Sequence, residues 1–241
     1  MSANFEEIDY QETPIGPVSL RRQRLKMFGD KEIFEVKLGN DYLMSSLFTV
    51  VEEALSTLAL AEVTAPCPDV VVGGLGLGYT AATALDHPNV NSLIVVDYLK
   101  PVIDWHEQGL VPLGPRLTGD PRCRFVHGDF FKLSAPDGGG YDPEQIDRRW
   151  DAILLDIDHS PDHLLHARHA DFYSETGLRA FSQRILPGGV FGMWSDDPPE
   201  EKFLRNLNTV FSQVRAEIVK FPNPFLHRDS ESTVYVSKVP N

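Results

Sequence analysis

From Phe48 to Glu62 the apolar residues Val51, Ala54, Leu55, Leu58 and Ala61 recur three and four positions apart. That spacing lines one face of a helix, and Pro66 and Pro68 stop it. Beyond them the pattern changes to short, nearly continuous apolar runs. Those at 69–74 (DVVVGG), 92–97 (SLIVVD), 123–128 (CRFVHG), 151–158 (DAILLDID) and 189–195 (GVFGMWS) predict strands covered on both faces. Helical patterns fall at about 79–86, 99–108, 175–186 and 199–213, and IVKF and STVYVSK predict a closing antiparallel pair. The alternation is that of a mostly parallel, seven-stranded α/β sheet doubly wound with helices on both faces. Ahead of it, PIGPVSL, EIFEVKL and DYLMSS are separated by Gly29-Asp30 and Gly39-Asn40. They predict a small β-hairpin appendage over 1–47, before a main domain over 48–241. The stretch APDGGGYDPEQ (135–145) reads as a solvent loop without chemistry.

Composition narrows the class. A chain of 241 residues with 42% hydrophobic content buries one large core without staples. Its net charge of −13 argues against a nucleic-acid partner, whose phosphates demand Lys and Arg, and suits a cationic small molecule. Cys67 and Cys123 lack metal-ligand spacing and are expected to be buried free thiols of a reducing compartment. The acidic opening MSANFEEIDYQETP has no secretory pattern, and no window has the ~20 apolar residues needed to span a bilayer. A cytoplasmic location without membrane association is the expectation.

The chemistry starts at Gly73, Gly74, Gly76 and Gly78, which follow a buried strand and open a helix of small residues. Glycines allow the sharp turn and let the backbone approach a ligand closely. Asp97 ends the next strand at the distance where an acidic side chain grips ribose hydroxyls. Tight helix–strand packing alone would also explain such a turn, and a nicotinamide dinucleotide would use the same device as S-adenosylmethionine. The end of the third strand favours S-adenosylmethionine. There Asp129 is placed to accept from an adenine amino group and Phe130 to pack on the ring. Asp129 would equally serve as cap of the short helix beginning FFKL.

These pieces occur in a telling order: QETPIGPVSL, DYLMSS, GGLGLGY, VVDYLKPVID, DPRCRFVHGD, DAILLDIDHSP and FYSETGLRAFSQRILPGGVF. In that order the chain resembles the spermidine synthase family, the polyamine aminopropyltransferases. The resemblance implies a Rossmann-like, class I methyltransferase fold and a homodimer. It implies that Gly74, Gly76 and Gly78 line the nucleoside loop, that Asp97 binds ribose and that Asp129 binds adenine. It further implies that Asp156 and Asp158 face the transfer centre, one of them taking a proton so that an amine lone pair attacks the carbon beside the sulfonium.

The chain departs from the family at several positions. Leu77 stands where the family has the Asp that meets the amine of decarboxylated S-adenosylmethionine, and Met44 where it has a glutamine. Loss of that Asp weakens the preference for the decarboxylated molecule over its parent. Two products therefore stay open, methylthioadenosine from aminopropyl transfer and S-adenosylhomocysteine from methyl transfer. A catalytically silent binder is a third reading.

Between Asp158 and Gly177 the chain has HSPDHLLHARHADFYSET where the family carries a gate over its site. Ser160-Pro161 predicts a helix start. Such a helix would bring His159, His163 and His166 towards one face, but no motif supports a metal site and none is expected. His159, next to Asp158, is the candidate to position or deprotonate the acceptor. Asp196 and Asp197 are candidates to complete an acidic mouth for an amine, or to start the helix that follows.

Overall fold

The computed structural model describes residues 5–241, so residues 1–4 of the predicted appendage lie outside the described residues. Among the described residues the strands form two sheets. The first is antiparallel in chain order: β1 (Phe5–Gln11), β2 (Val18–Leu25), β3 (Lys31–Leu38) and β4 (Asp41–Ser45). Sequence pattern misses β1, because FEEIDYQ has no apolar alternation and stays largely exposed. Helix α1 (Val50–Leu60) leads from this sheet to the second.

The second sheet contains β5 (Asp69–Gly73), β6 (Ser92–Asp97), β7 (Cys123–His127), β8 (Trp150–Leu155), β9 (Ile185–Ser195), β10 (Ser212–Asn223) and β11 (Arg228–Lys238). Their spatial order is β10-β11-β9-β8-β5-β6-β7. Strands β5 to β9 pair in parallel, and the β10–β11 hairpin closes the edge antiparallel on β9. The expected seven-stranded, mostly parallel sheet is therefore present. Strand β5 has β6 on one side and β8 on the other, so chain connections leave it in opposite directions. That reversal opens a crevice at the carboxyl ends, where such sheets bind ligands.

Helices α2 (Tyr79–Asp86), α3 (Lys100–Glu107) and α4 (Gly114–Gly119) follow β5 and β6, and α5 (Phe130–Ser134), α6 (Glu175–Ser182) and α7 (Glu201–Val210) come later. Successive strand residues point to opposite faces. Val70, Val72, Leu93, Val95, Ala152 and Leu154 thus join one buried cluster, with α1, α2 and α3. Val71, Ile94, Val96, Ile153, Leu155 and Phe191 join the other, with α6 and α7. Among the described residues no helix is long and apolar enough to cross a membrane.

Three local expectations are corrected. Strand β8 stops at Leu155 rather than 158, because the chain bends away from the ladder over Asp156 to Asp158. The 135–145 stretch is not a solvent loop. Tyr141 is fully buried, stacked on Phe130 at 5.0 Å, and Asp142 is buried between Arg124 and Arg148. Cys67 is exposed, beside the prolines that keep its segment irregular, whereas Cys123 is partly buried and its thiol is pushed up to about 12 by burial.

The N-terminal sheet docks onto the crevice through Val18, Leu20 and Val36 and through a polar tether. The Trp105 indole N–H donates to Asp9 Oδ2 at 2.6 Å. Asp9→Ala leaves that buried donor unpaired, and should cost about 1–3 kcal/mol in chemical unfolding. Asp9→Asn, which keeps an acceptor, should recover most of it.

Candidate active site

The turn after β5 is held by its neighbours on three sides. Gly74 has φ +97°, and a Cβ there would lie 2.0 Å from the carbonyl oxygen of Asp156. The turn thus passes directly against the end of β8, which leaves room for glycine alone. At the end of β6, Asp97 accepts from Leu75 N–H through Oδ2 (2.8 Å) and from Leu99 N–H through Oδ1 (2.7 Å). Burial raises its carboxyl while these N–H groups oppose the rise. Each oxygen keeps lone-pair capacity for a ribose diol. From α3, buried His106 stands 3.0 Å from Gly76 O through Nε2, and burial lowers it to about 4. The ring is therefore neutral, and the acceptor opposite places its proton on Nε2. His106 was not singled out in the sequence, where it reads as one more helical residue.

A cavity of about 1060 Å³, open mouth included, lies over this turn at the carboxyl ends of the parallel strands. Gly74, Gly76, Asp97, Asp129, Phe130, Asp156 and His159 line it. The N-terminal sheet and its loops add Ile15, Val36, Leu38, Leu43 and Met44, all apolar. Met44 reaches the turn itself, with Sδ 3.2 Å from Leu77 N.

One acid in the cavity went unnoticed in the sequence. Glu52 of α1 lines it together with Asp156. Its signal was present in the spacing, since Glu52 shares a helix face with buried Leu55, Ser56 and Ala59 at i+3, i+4 and i+7. Asp156 accepts from Thr80 Oγ1 at 2.6 Å. Burial pushes Asp156 up to about 6. Burial first, and then the neighbouring Asp156 charge, push Glu52 up to about 8. Two carboxyls in one low-dielectric site cannot both ionise freely. The pair is therefore poised to attract a cation and to hold a proton near neutral pH.

The pair also sets a pH dependence. The native state keeps protons that an unfolded chain releases at ordinary carboxylate values, so stability conferred by the pair is full below about 4.5 and falls as pH rises towards about 8. Glu52→Gln should therefore raise the melting temperature at pH 8 and change it little at pH 4.5, read by thermal unfolding of the two proteins in matched buffers.

The remaining expected residues divide. Asp129 lies on the cavity, but it also caps α5, accepting from Phe131 and Lys132 N–H, and pairs with Arg168 at 3.2 Å. Phe130 lines the cavity and underlies the turn, its ring 2.5 Å from where a Cβ on Gly73 would lie. Gly78 does not line the cavity. It begins α2 at φ +90°, with Leu117 and His106 where its Cβ would be. Leu77 is buried in the core, so its side chain leaves the cavity altogether.

Asp158, expected at the transfer centre, faces away from the cavity. Its carboxylate accepts from Leu165 N–H (2.8 Å), His169 Nδ1 (2.9 Å) and Tyr173 O–H (2.8 Å). It anchors the 159–173 segment from beneath. That segment starts with bends, not the expected helix, and becomes 3-10 only at Ala167–Tyr173. A Ser160–His163 turn, with Ser160 Oγ accepting from His163 N–H, takes the place of the helix start. His159, His163 and His166 consequently do not share a helix face. His159 does line the cavity, 6.3 Å from the Trp194 ring, and His166, Arg168 and His169 cover it. Asp196 and Asp197 are exposed and outside the cavity wall, because the chain beyond β9 turns outward, with Asp196 N–H bonded to His159 O and Asp196 Oδ1 accepting from Ser232.

No family model matches the chain. It is 28% identical over 165 residues to Polyamine aminopropyltransferase 2 of Pseudomonas aeruginosa, a match that covers 64% of this chain and 43% of the relative. The matched region thus spans less than half of that relative's length. Among solved structures it is similar to a spermidine synthase in complex with the transition state analogue AdoDATO, with TM-score 0.71 and 16% identity over 96% of this chain and 73% of that one. It is similar to the spermidine synthase of Thermotoga maritima as well, with TM-score 0.70 and 16% identity over 96% and 72%. A homologue of a polyamine aminopropyltransferase, the chain carries the methyltransferase-like α/β fold of the spermidine synthases, as the order of its motifs implied.

Proposed function

We propose that the chain is a transferase that moves an aminopropyl group from decarboxylated S-adenosylmethionine to a small-molecule amine. The observation that carries this reading is one cavity lined by two differently equipped sets of groups. One set is the bare turn at Gly74 and Gly76 with Asp97 and Asp129, which fit an adenosine. The other is the Glu52–Asp156 pair, which fits cationic nitrogen.

The donor supplies an electrophilic methylene carbon next to a positively charged sulfur. Asp156, held by Thr80, orients the acceptor and receives the proton its nitrogen sheds. In the balanced step the nitrogen lone pair forms the new C–N bond, the C–S pair stays on sulfur as a thioether, and the proton passes to the carboxylate. Leu165, His166 and the rest of the 159–173 segment exclude water from the cleft. Glu52 answers the absence of an acid at Leu77, because the negative charge that it shares with Asp156 beside the reacting chain repels the carboxylate of undecarboxylated S-adenosylmethionine.

The test is to incubate the protein with decarboxylated S-adenosylmethionine and a panel of amines, and to follow methylthioadenosine by mass spectrometry. Methylthioadenosine should form with at least one amine. S-adenosylhomocysteine from the parent donor, with no methylthioadenosine from the decarboxylated one, would instead establish methyl transfer.

A further inference from the structure

We infer that the acceptor has one cationic nitrogen on an apolar body, the nitrogen seated at the Glu52–Asp156 pair that it shares with the donor's amino group, and the body lying along Ile157 and Trp194. The inference rests on the aminopropyl-transfer reading and goes beyond it by separating monoamines from diamines and longer polyamines.

The charges lining the cavity can be assigned one by one. Asp97 is engaged by the main chain of its own turn. Asp129 caps α5 and is paired with Arg168, whose guanidinium also lies 5.2 Å from the Tyr98 ring. Glu52 and Asp156 remain for nitrogen. Two carboxyls meet two nitrogens, the donor's amino group and the acceptor's nucleophile. An α,ω-diamine brings a third. Among the described residues the cavity wall has no further carboxylate for it, and burying an unpaired ammonium is costly. Asp196, which also raises Glu52, is exposed and outside the wall.

The surfaces around the pair favour carbon. Leu155 pairs with Met193 in the β8–β9 register, which sets Trp194 beside Asp156, and Ile157 is the next residue along the chain. Both line the cavity. The N-terminal sheet continues the wall with Leu38 and Leu43. An alkyl or arylalkyl tail gains there by leaving water, whereas the terminal ammonium of a diamine loses its hydration.

The experiment compares pentylamine, matched in length to 1,4-diaminobutane, and phenethylamine against that diamine, with decarboxylated S-adenosylmethionine as donor. The monoamines should show kcat/KM at least about 10-fold above the diamine. Equal or greater kcat/KM for 1,4-diaminobutane overturns the inference while leaving aminopropyl transfer standing. Absence of methylthioadenosine with every amine removes the transfer reading itself, and the inference with it. A binding arm checks the seat. In Glu52→Gln, calorimetric affinity for pentylamine in the presence of methylthioadenosine should fall about 10-fold or more, with affinity for methylthioadenosine alone unchanged. Unchanged amine affinity would place the nitrogen elsewhere and overturn the assignment.

Discussion

Asp156→Asn is expected to lower turnover by about 10²–10⁴-fold while leaving methylthioadenosine affinity within a few-fold. The carboxamide preserves size and still accepts from Thr80 Oγ1. It has no capacity to take up the proton that the new ammonium must release. The nucleoside end is built from Gly74, Gly76, Asp97 and Asp129, none of which the substitution alters. Single-turnover kinetics beside calorimetry with methylthioadenosine would separate the two effects. Wild-type turnover in the variant would move the proton acceptor to another group.

Gly74→Ala should be the most damaging change to the scaffold. Its Cβ would meet a main-chain oxygen at 2.0 Å in a backbone conformation, φ +97°, that L-residues rarely adopt. Carbonyls at the end of a central strand cannot step aside as a flexible side chain would. A loss of about 2–4 kcal/mol in denaturant unfolding is expected, together with loss of methylthioadenosine binding. Gly39→Ala provides the comparison, since φ there is +57° but no atom lies within 4 Å of the added methyl. Its cost should stay near about 1 kcal/mol. Equal losses at the two positions would mean that the clash at Gly74 is relieved by movement of the turn.

The second sheet was legible because its parallel strands are buried on both faces. DVVVGG and SLIVVD admit little but central strands. The glycine turn and Asp97 were legible for a related reason, since a ligand approach by the main chain excludes side chains at fixed positions. What escaped depended on direction rather than identity. Asp156 and Asp158 are two apart and look equivalent, yet one opens on the cavity and the other is turned beneath the 159–173 segment by His169 and Tyr173, residues 11 and 15 positions later. Glu52 escaped because its importance comes from Asp156, on a strand end far along the chain. Tyr141 was misread because loop composition conceals one aromatic whose ring fills the space under Phe130. In each case a distant partner fixes the role, and local pattern contains no trace of that partner.

The wall contributed by Ile15, Val36, Leu38, Leu43 and Met44 comes from a sheet and its loop that, among the described residues, make no ladder bonds with the sheet holding the glycine turn and Asp156. Much of the apolar wall and the groups proposed to hold donor and proton therefore sit in different stretches of polypeptide. Substitutions at Ile15, Leu38 or Leu43 can reshape what is admitted without touching the glycine turn, whereas Met44, with Sδ 3.2 Å from Leu77 N, bears on both, so a scaffold of this design can change its clientele while its reaction stays the same.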